Sequence, residues 1–145
     1  MTSQPKIVIA KCNLVGAAED PNYRQSVRCG RHEMLADERA VRGGADAGPM
    51  PFEYLLSSLG ACTSITLRMY AERKSWNIGA VTVSLALHQG EEGKTIERRV
   101  TLSGSLTAEQ QAKLSEICEK TPVTLVLKSG ISVRTTVHSG PPTQP

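Results

Sequence analysis

A single cysteine, Cys62, stands within GPMPFEYLLSSLGACTSITLRMYA, residues 48–71, among serine, alanine and glycine. A thiol in such a place can pack as a small apolar group, or it can act as a nucleophile once a nearby cation lowers its pKa. A mid-helix position gives the second role little help, because the helix dipole acts mainly within the first and last turns. The other cysteines, Cys12, Cys29 and Cys118, form no CxxC or zinc-knuckle spacing with it or with one another. All four are therefore expected as thiols, Cys12 and Cys29 as ordinary strand residues. His32, His88 and His138 are isolated in strand-like sequence. No metal and no cofactor is expected.

The elements that position Cys62 begin with a loop. RGGADAGPMP, residues 42–51, holds three glycines and two prolines and delivers the chain into a long helix. Pro51 suits a first helical position and Glu53 falls in the first turn, where a carboxylate complements the helix dipole. Before the loop, residues 6–13, 22–29 and 31–37 read as short strands, the last two joined by a tight turn at Gly30. After the helix, residues 78–88 and 95–104 form a hairpin around QGEEGK. Thr107 and Gln110 have capping-box spacing, which predicts a helix from 108 to about 119. Thr121 followed by Pro122 caps a shorter helix that ends near Gly130, and residues 131–138 alternate like a strand. The predicted order is βββ-α-ββ-αα-β, an α+β fold with the long central helix against a mixed or antiparallel sheet. One domain over residues 1–145 is expected, ordered from about 6 to 138, with residues 1–5 and 139–145 flexible.

At 100° per residue the central helix shows two stripes. Phe52, Leu55, Leu56, Leu59, Thr63, Thr66, Leu67 and Tyr70 form an apolar face for the sheet, and Ser57, Gly60, Ala61 and Ser64 a stripe of small residues. An interior glycine costs about 1 kcal/mol relative to alanine. A second subunit packed on the small stripe would offset that cost, so a homodimer is expected, with Cys62 at the margin between the stripes.

Composition narrows the functional classes. Seventeen basic and 14 acidic residues are scattered, so no nucleic-acid partner is expected. The longest apolar runs, such as residues 7–10, are too short for a membrane span or a signal-peptide core, so no membrane partner and a cytoplasmic location are expected. Only five residues are aromatic, which leaves the core to aliphatic and small side chains.

The segment GPMPFEYLLSSLGACTSITLRMYAERKSW resembles the central-helix signature of the OsmC/Ohr family, the osmotically inducible and organic hydroperoxide resistance proteins. HEMLADERAVRGG before it and LSEICEKTPVTLVLKSGISVRTTV after it resemble the flanking parts of the same family, for coverage of roughly residues 20–138. The resemblance implies an intertwined homodimer with active sites at the subunit interface. It also implies a thiol peroxidase, in which a helix cysteine attacks a small organic hydroperoxide and becomes a sulfenic acid. A second cysteine then closes a disulfide, and a lipoyl-type dithiol restores the enzyme.

Carried over residue by residue, Cys62, eleven positions after Pro51, matches the attacking cysteine, and Arg42, nine positions before that proline, matches an arginine that stabilises the thiolate. Two positions depart from the pattern. The family's arginine-orienting glutamate directly follows the proline, but Phe52 stands there and the acid comes next as Glu53. The family's resolving cysteine immediately precedes a proline, and that position is Thr121; Cys118 is the candidate for a displaced resolving thiol. Each candidate has a structural alternative: a solvated charge for Arg42, a helix-dipole partner for Glu53 and a packed side chain for Cys118. The leading expectation is a thiol-dependent peroxidase, possible also as a one-cysteine cycle. Its rivals are a non-enzymatic dimer that binds a small apolar ligand and a redox sensor.

Overall fold

A computed structural model of the chain describes residues 7–141. It divides into two compact units, one running through Glu53 and taking in the chain from Ser139, the other spanning Tyr54–His138. The expected flexible start, residues 1–5, and the last four residues of the tail lie outside the described residues.

The first unit is built on a three-stranded antiparallel sheet, β1 (Cys12–Val15), β2 (Gln25–Cys29) and β3 (His32–Ala36), in that spatial order. The turn between β2 and β3 falls at Gly30 as expected, with φ of 60°, a left-handed conformation that favours glycine. Val27 and Ala36 are buried on the sheet. The first strand lies further along the chain than residues 6–13. Cys12 pairs with Cys29, the last residue of β2 before the turn, so residues preceding Cys12 have no β2 partner to bond. Ile7, Val8 and Ile9 accordingly lie exposed and irregular. A larger correction concerns the two cysteines themselves. Cys12 and Cys29 are not thiols; they are joined as a disulfide across a directly opposed pair, with Cα atoms 4.3 Å apart.

After β3, a single side chain organises the loop. Asp37 is buried, and its carboxylate accepts the backbone N–H groups of Glu38, Ala45 and Ala47 at 2.8, 3.2 and 3.1 Å. These bonds, led by that from Ala47, hold the Asp37 carboxyl below its usual pKa against the opposing effect of desolvation. A depressed folded-state pKa stabilises the fold at pH values above the unfolded carboxyl's pKa, and that contribution is lost as pH falls through the folded value. The urea midpoint of Asp37→Asn should therefore lie below that of the wild type by a constant gap from pH 7 to about 4, and the gap should close below that. A gap unchanged down to pH 2 would show that the charge of Asp37 contributes nothing.

The second unit carries α1 (Pro51–Lys74) from Tyr54 onward, the hairpin of β4 (Val81–Gly90) and β5 (Gly93–Leu102), then α2 (Ala108–Cys118) and α3 (Pro122–Ser129). The hairpin alternates cleanly. Val81, Val83, Leu85, Leu87, Ile96, Val100 and Leu102 are half-buried on one face, while Thr82, Ser84, Thr95 and Thr101 are exposed on the other. The Thr107–Gln110 capping box forms in full, with both reciprocal bonds present. Leu67, Ala71, Ile78, Leu114 and Cys118 make the core, flanked by Tyr70, Trp76, Val100 and Leu102.

Two expectations change in this unit. Gly60 is buried, and a Cβ there would lie 2.9 Å from Leu85 Cδ1. The close neighbour of Gly60 within the single chain is thus the Leu85 side chain of its own β4. Ser57 and Ala61, also assigned to the small stripe, remain exposed. The second change concerns residues 131–138, which form no strand. Ile131, Val133 and Val137 are 73, 83 and 88% exposed. Alternation makes a segment fit for pairing, but a strand exists only where a neighbour supplies the ladder bonds.

Candidate functional site

Cys62 sits in the fourth turn of α1, half-buried and free. Its neighbours along the helix are fixed by the residues on either side. Leu59 and Thr63 are buried, and the Thr63 hydroxyl donates back to the Leu59 carbonyl at 2.7 Å. Leu67 and Ala71 carry the same face onward into the core.

Cys118, the candidate resolving thiol, belongs to that core and packs with Leu67 and Ala71, five and nine residues beyond Cys62 on α1. Five residues of helix rise about 7.5 Å, so the packing partners of Cys118 lie a turn or more further along than Cys62. Burial pushes the Cys118 thiol pKa up, against a smaller opposing pull from Arg98. An apolar, protonated thiol is a slow nucleophile. Iodoacetamide should therefore label Cys62 roughly ten times faster than Cys118 in native protein, as read by peptide mapping. Equal rates would contradict this placement.

The position expected to hold a resolving cysteine is occupied in an instructive way. Thr121 is fully buried at the N-cap of α3, yet its hydroxyl does not cap the helix backbone. It meets the hydroxyl of Thr124 at 2.6 Å instead. Thr124 Oγ1 in turn donates to the Cys118 carbonyl at 3.2 Å and accepts from Arg98 Nη1 at 2.9 Å. The same Nη1 donates to Thr63 Oγ1 at 3.0 Å, and Arg98 Nη2 donates to the Cys118 carbonyl at 2.8 Å. Glu119 stands 3.7 Å from the guanidinium, which is only 12% exposed. One arginine of β5 thus ties together α1, the end of α2 and the start of α3. The sequence reading missed it, although a signal existed: in TIERRVTL, Arg98 occupies a position of the apolar alternation Ile96, Val100, Leu102.

Arg42 and Glu53 both lie in the first unit and do not pair with each other. Arg42 is exposed, with its guanidinium 3.8 Å from the Glu38 carboxylate. Glu53 is gripped by Arg39 through a short ion-paired hydrogen bond, and its other oxygen accepts the Met50 N–H at 2.9 Å. The second bond is half of a capping box at the start of α1, so the helix-terminus role expected as the alternative is present. Arg39, and then the Met50 N–H, hold the Glu53 carboxyl pKa below its usual value. The guanidinium–carboxylate pair is thus Arg39–Glu53, and Arg39 is a residue that sequence spacing did not single out.

Within the second unit a cleft of about 390 Å³ is lined by Leu67, Val100, Leu102, Leu106, Leu114 and Cys118, among others. Among the described residues, no group of three His, Cys, Asp or Glu side chains is placed to hold a metal. No helix among them is long and apolar enough to cross a membrane.

Similarity to solved structures follows this architecture. A protein of Psychrobacter arcticus, assigned to osmotic stress induction and detoxification response, matches with a TM-score of 0.67 at 16% identity, over 84% of this chain and 89% of that one. A Legionella pneumophila structure described as an organic hydroperoxide resistance protein and predicted redox protein matches with a TM-score of 0.62 at 15% identity, over 86 and 92%. The organic hydroperoxide resistance protein of Bacillus subtilis matches with a TM-score of 0.57 at 17% identity, over 83 and 91%. At these identities the likeness shows the fold. No curated protein matches the sequence significantly. Residues 43–136, well over half of the chain and including α1 and every element after it, match the OsmC-like protein family, and the chain belongs to that family.

Proposed function

We propose that the protein is a thiol-dependent peroxidase that reduces small organic hydroperoxides through Cys62. The observation that carries this reading is the fate of the four cysteines. Cys12 and Cys29 are joined, Cys118 is buried with a raised pKa, and Cys62 alone is a free thiol with access to solvent. The Cys62 thiolate attacks the outer peroxide oxygen, the O–O bond breaks, the alcohol leaves and Cys62 becomes a sulfenic acid. With a threonine at position 121 and Cys118 held in the core, an external thiol completes the cycle. It attacks the sulfenic sulfur with loss of water, and a second thiol, such as the partner thiol of a lipoyl-type dithiol, releases Cys62. Cys118 remains outside this cycle. The test is peroxide consumption under a lipoyl-type dithiol: turnover beyond that of a free cysteine supports the reading, and a rate equal to free cysteine overturns it.

The proposed working form is a homodimer. Ile65 and Met69 on α1, together with Ile131, Val133 and Val137, present large apolar side chains to solvent in the single chain, and a second copy is the partner the family resemblance implies. A monomeric mass by light scattering at micromolar concentration would defeat this. A second reading, binding of a small ligand, is favoured by the cleft beside Cys118, in which Thr101, Gln111 and Ser115 line the same space as the leucines.

A further inference from the structure

The reading of Cys62 leaves the other cysteine pair without a role. Cys12 and Cys29 face each other across β1 and β2, and the bond between them is reachable, since Cys12 is exposed and Cys29 half-buried. The neighbouring sequence is basic: Lys11 precedes Cys12, Arg31 follows Cys29 by two positions, and His32 is the register partner of Cys29 on β3, while Arg28, one residue along β2, alternates to the other face. Glu33, 3.1 Å from Arg28, is the acid placed among them. Cationic neighbours stabilise a departing thiolate, and exposed disulfides are the ones that exchange.

The strand that the bond secures has little else to hold it. None of the four residues of β1 is buried, Leu14 and Val15 are 56 and 59% exposed, and β1 is an edge strand bonded only to β2. The buried sheet residues, Val27 and Ala36, belong to β2 and β3, which pair with each other through the backbone from Gln25–Ala36 to Cys29–His32. Opening the bond therefore removes a tether without removing core.

We propose that Cys12–Cys29 is a reducible redox centre, separate from Cys62, that exchanges with small or protein-borne dithiols able to close a cyclic disulfide and thereby governs whether β1 stays on the sheet. A donor thiolate attacks the exposed sulfur of Cys12. The S–S bond breaks, its electron pair leaves on Cys29, and that thiolate takes up a proton. The donor's second thiol, losing its proton, attacks the mixed disulfide, and Cys12 departs as a thiolate that is protonated in turn. Two electrons and two protons have then passed from the dithiol to the pair, and the donor is released as its cyclic disulfide. The oxidised donor runs the same steps in reverse.

The test uses the wild-type chain in native buffer at graded ratios of reduced to oxidised dithiothreitol. Differential alkylation with peptide mapping follows the thiols, and hydrogen exchange follows the strands. The proposal expects Cys12 and Cys29 to become alkylatable together in a reversible transition. In that transition exchange of the amides of residues 13–15 should accelerate by roughly tenfold or more while residues 32–36 stay as protected as before. A pair that opens only when 32–36 also lose protection is a structural staple, and two free thiols under fully oxidised donor would mean that no such bond forms. Either result overturns the proposal, and neither depends on whether Cys62 reacts with peroxide.

Discussion

Cys62→Ser is expected to lose hydroperoxide turnover by on the order of a thousandfold or more, down to the background of the remaining cysteines. The expectation rests on the chemistry of the atom that is replaced. A serine hydroxyl is similar in size to the thiol, but at neutral pH it neither ionises nor forms the sulfenic acid through which the peroxide oxygen is carried. The position is half-buried and its helix neighbours Leu59 and Thr63 hold their places through the core and the Leu59–Thr63 hydrogen bond, so the fold should survive the change. Cys118→Ser is the matching control. It removes a thiol that the core already shields, so the rate per folded molecule should stay within about threefold of the wild type, with some loss of stability from placing a hydroxyl against Leu67 and Leu114. Equal loss in both variants would mean that Cys118 takes part in the cycle after all.

The second large effect is on stability, at Arg98. Arg98→Met keeps much of the apolar stem but removes three hydrogen bonds from a guanidinium that is 12% exposed. What remains is a set of buried groups short of a donor: the hydroxyls of Thr63 and Thr124 and the carbonyl of Cys118. Bonds of this charge-assisted kind are worth more than neutral ones, and buried acceptors left unpaired add their own desolvation cost. The hydroxyls can partly satisfy one another, as Thr121 and Thr124 already do. A loss of about 3 kcal/mol is expected, seen as a drop in Tm of about 10 °C. Arg98→Lys should recover only a minor part, because an ammonium on a single stem cannot reproduce a fork that reaches α1, α2 and α3 at once. A Tm within 2 °C of the wild type for Arg98→Met would show that the network is ornamental.

The parts of this fold that were legible in the sequence are those whose signals are local. Pro51 and Glu53 mark the start of α1 and the Thr107–Gln110 box marks α2, each because the signal lies within one helical turn; α3 begins at Pro122 as expected, although the Thr121 hydroxyl expected to cap it bonds Thr124 instead. The β4–β5 hairpin was legible from alternation around two central glutamates flanked by glycines. What escaped depends on residues far apart. The start of β1 is set by where β2 runs out at the Gly30 turn, and the disulfide by the register that brings together cysteines 17 residues apart. The partner of Glu53 depends on the path of a loop whose turns are tied down by Asp37, which brings Arg39 to the carboxylate and leaves Arg42 on Glu38. At Gly60 the sequence reading expected another backbone to approach, whereas the close neighbour is the Leu85 side chain of β4, which helical periodicity alone does not identify. Residues 131–138 show the opposite failure, a strand pattern with no strand beside it.

The central claim is that Cys62 carries the peroxide chemistry without a resolving cysteine. It is tested most directly by intact mass and peptide mapping of the dithiol-reduced protein after a brief pulse of cumene hydroperoxide, with a sulfenic-acid trap present and peroxide loss followed in parallel. The account predicts fast peroxide consumption and a trap adduct on Cys62, with Cys118 unmodified. A disulfide linking Cys62 to Cys118 would contradict the one-cysteine cycle, and consumption no faster than that of a free thiol, with no adduct, would contradict the assignment of Cys62 altogether.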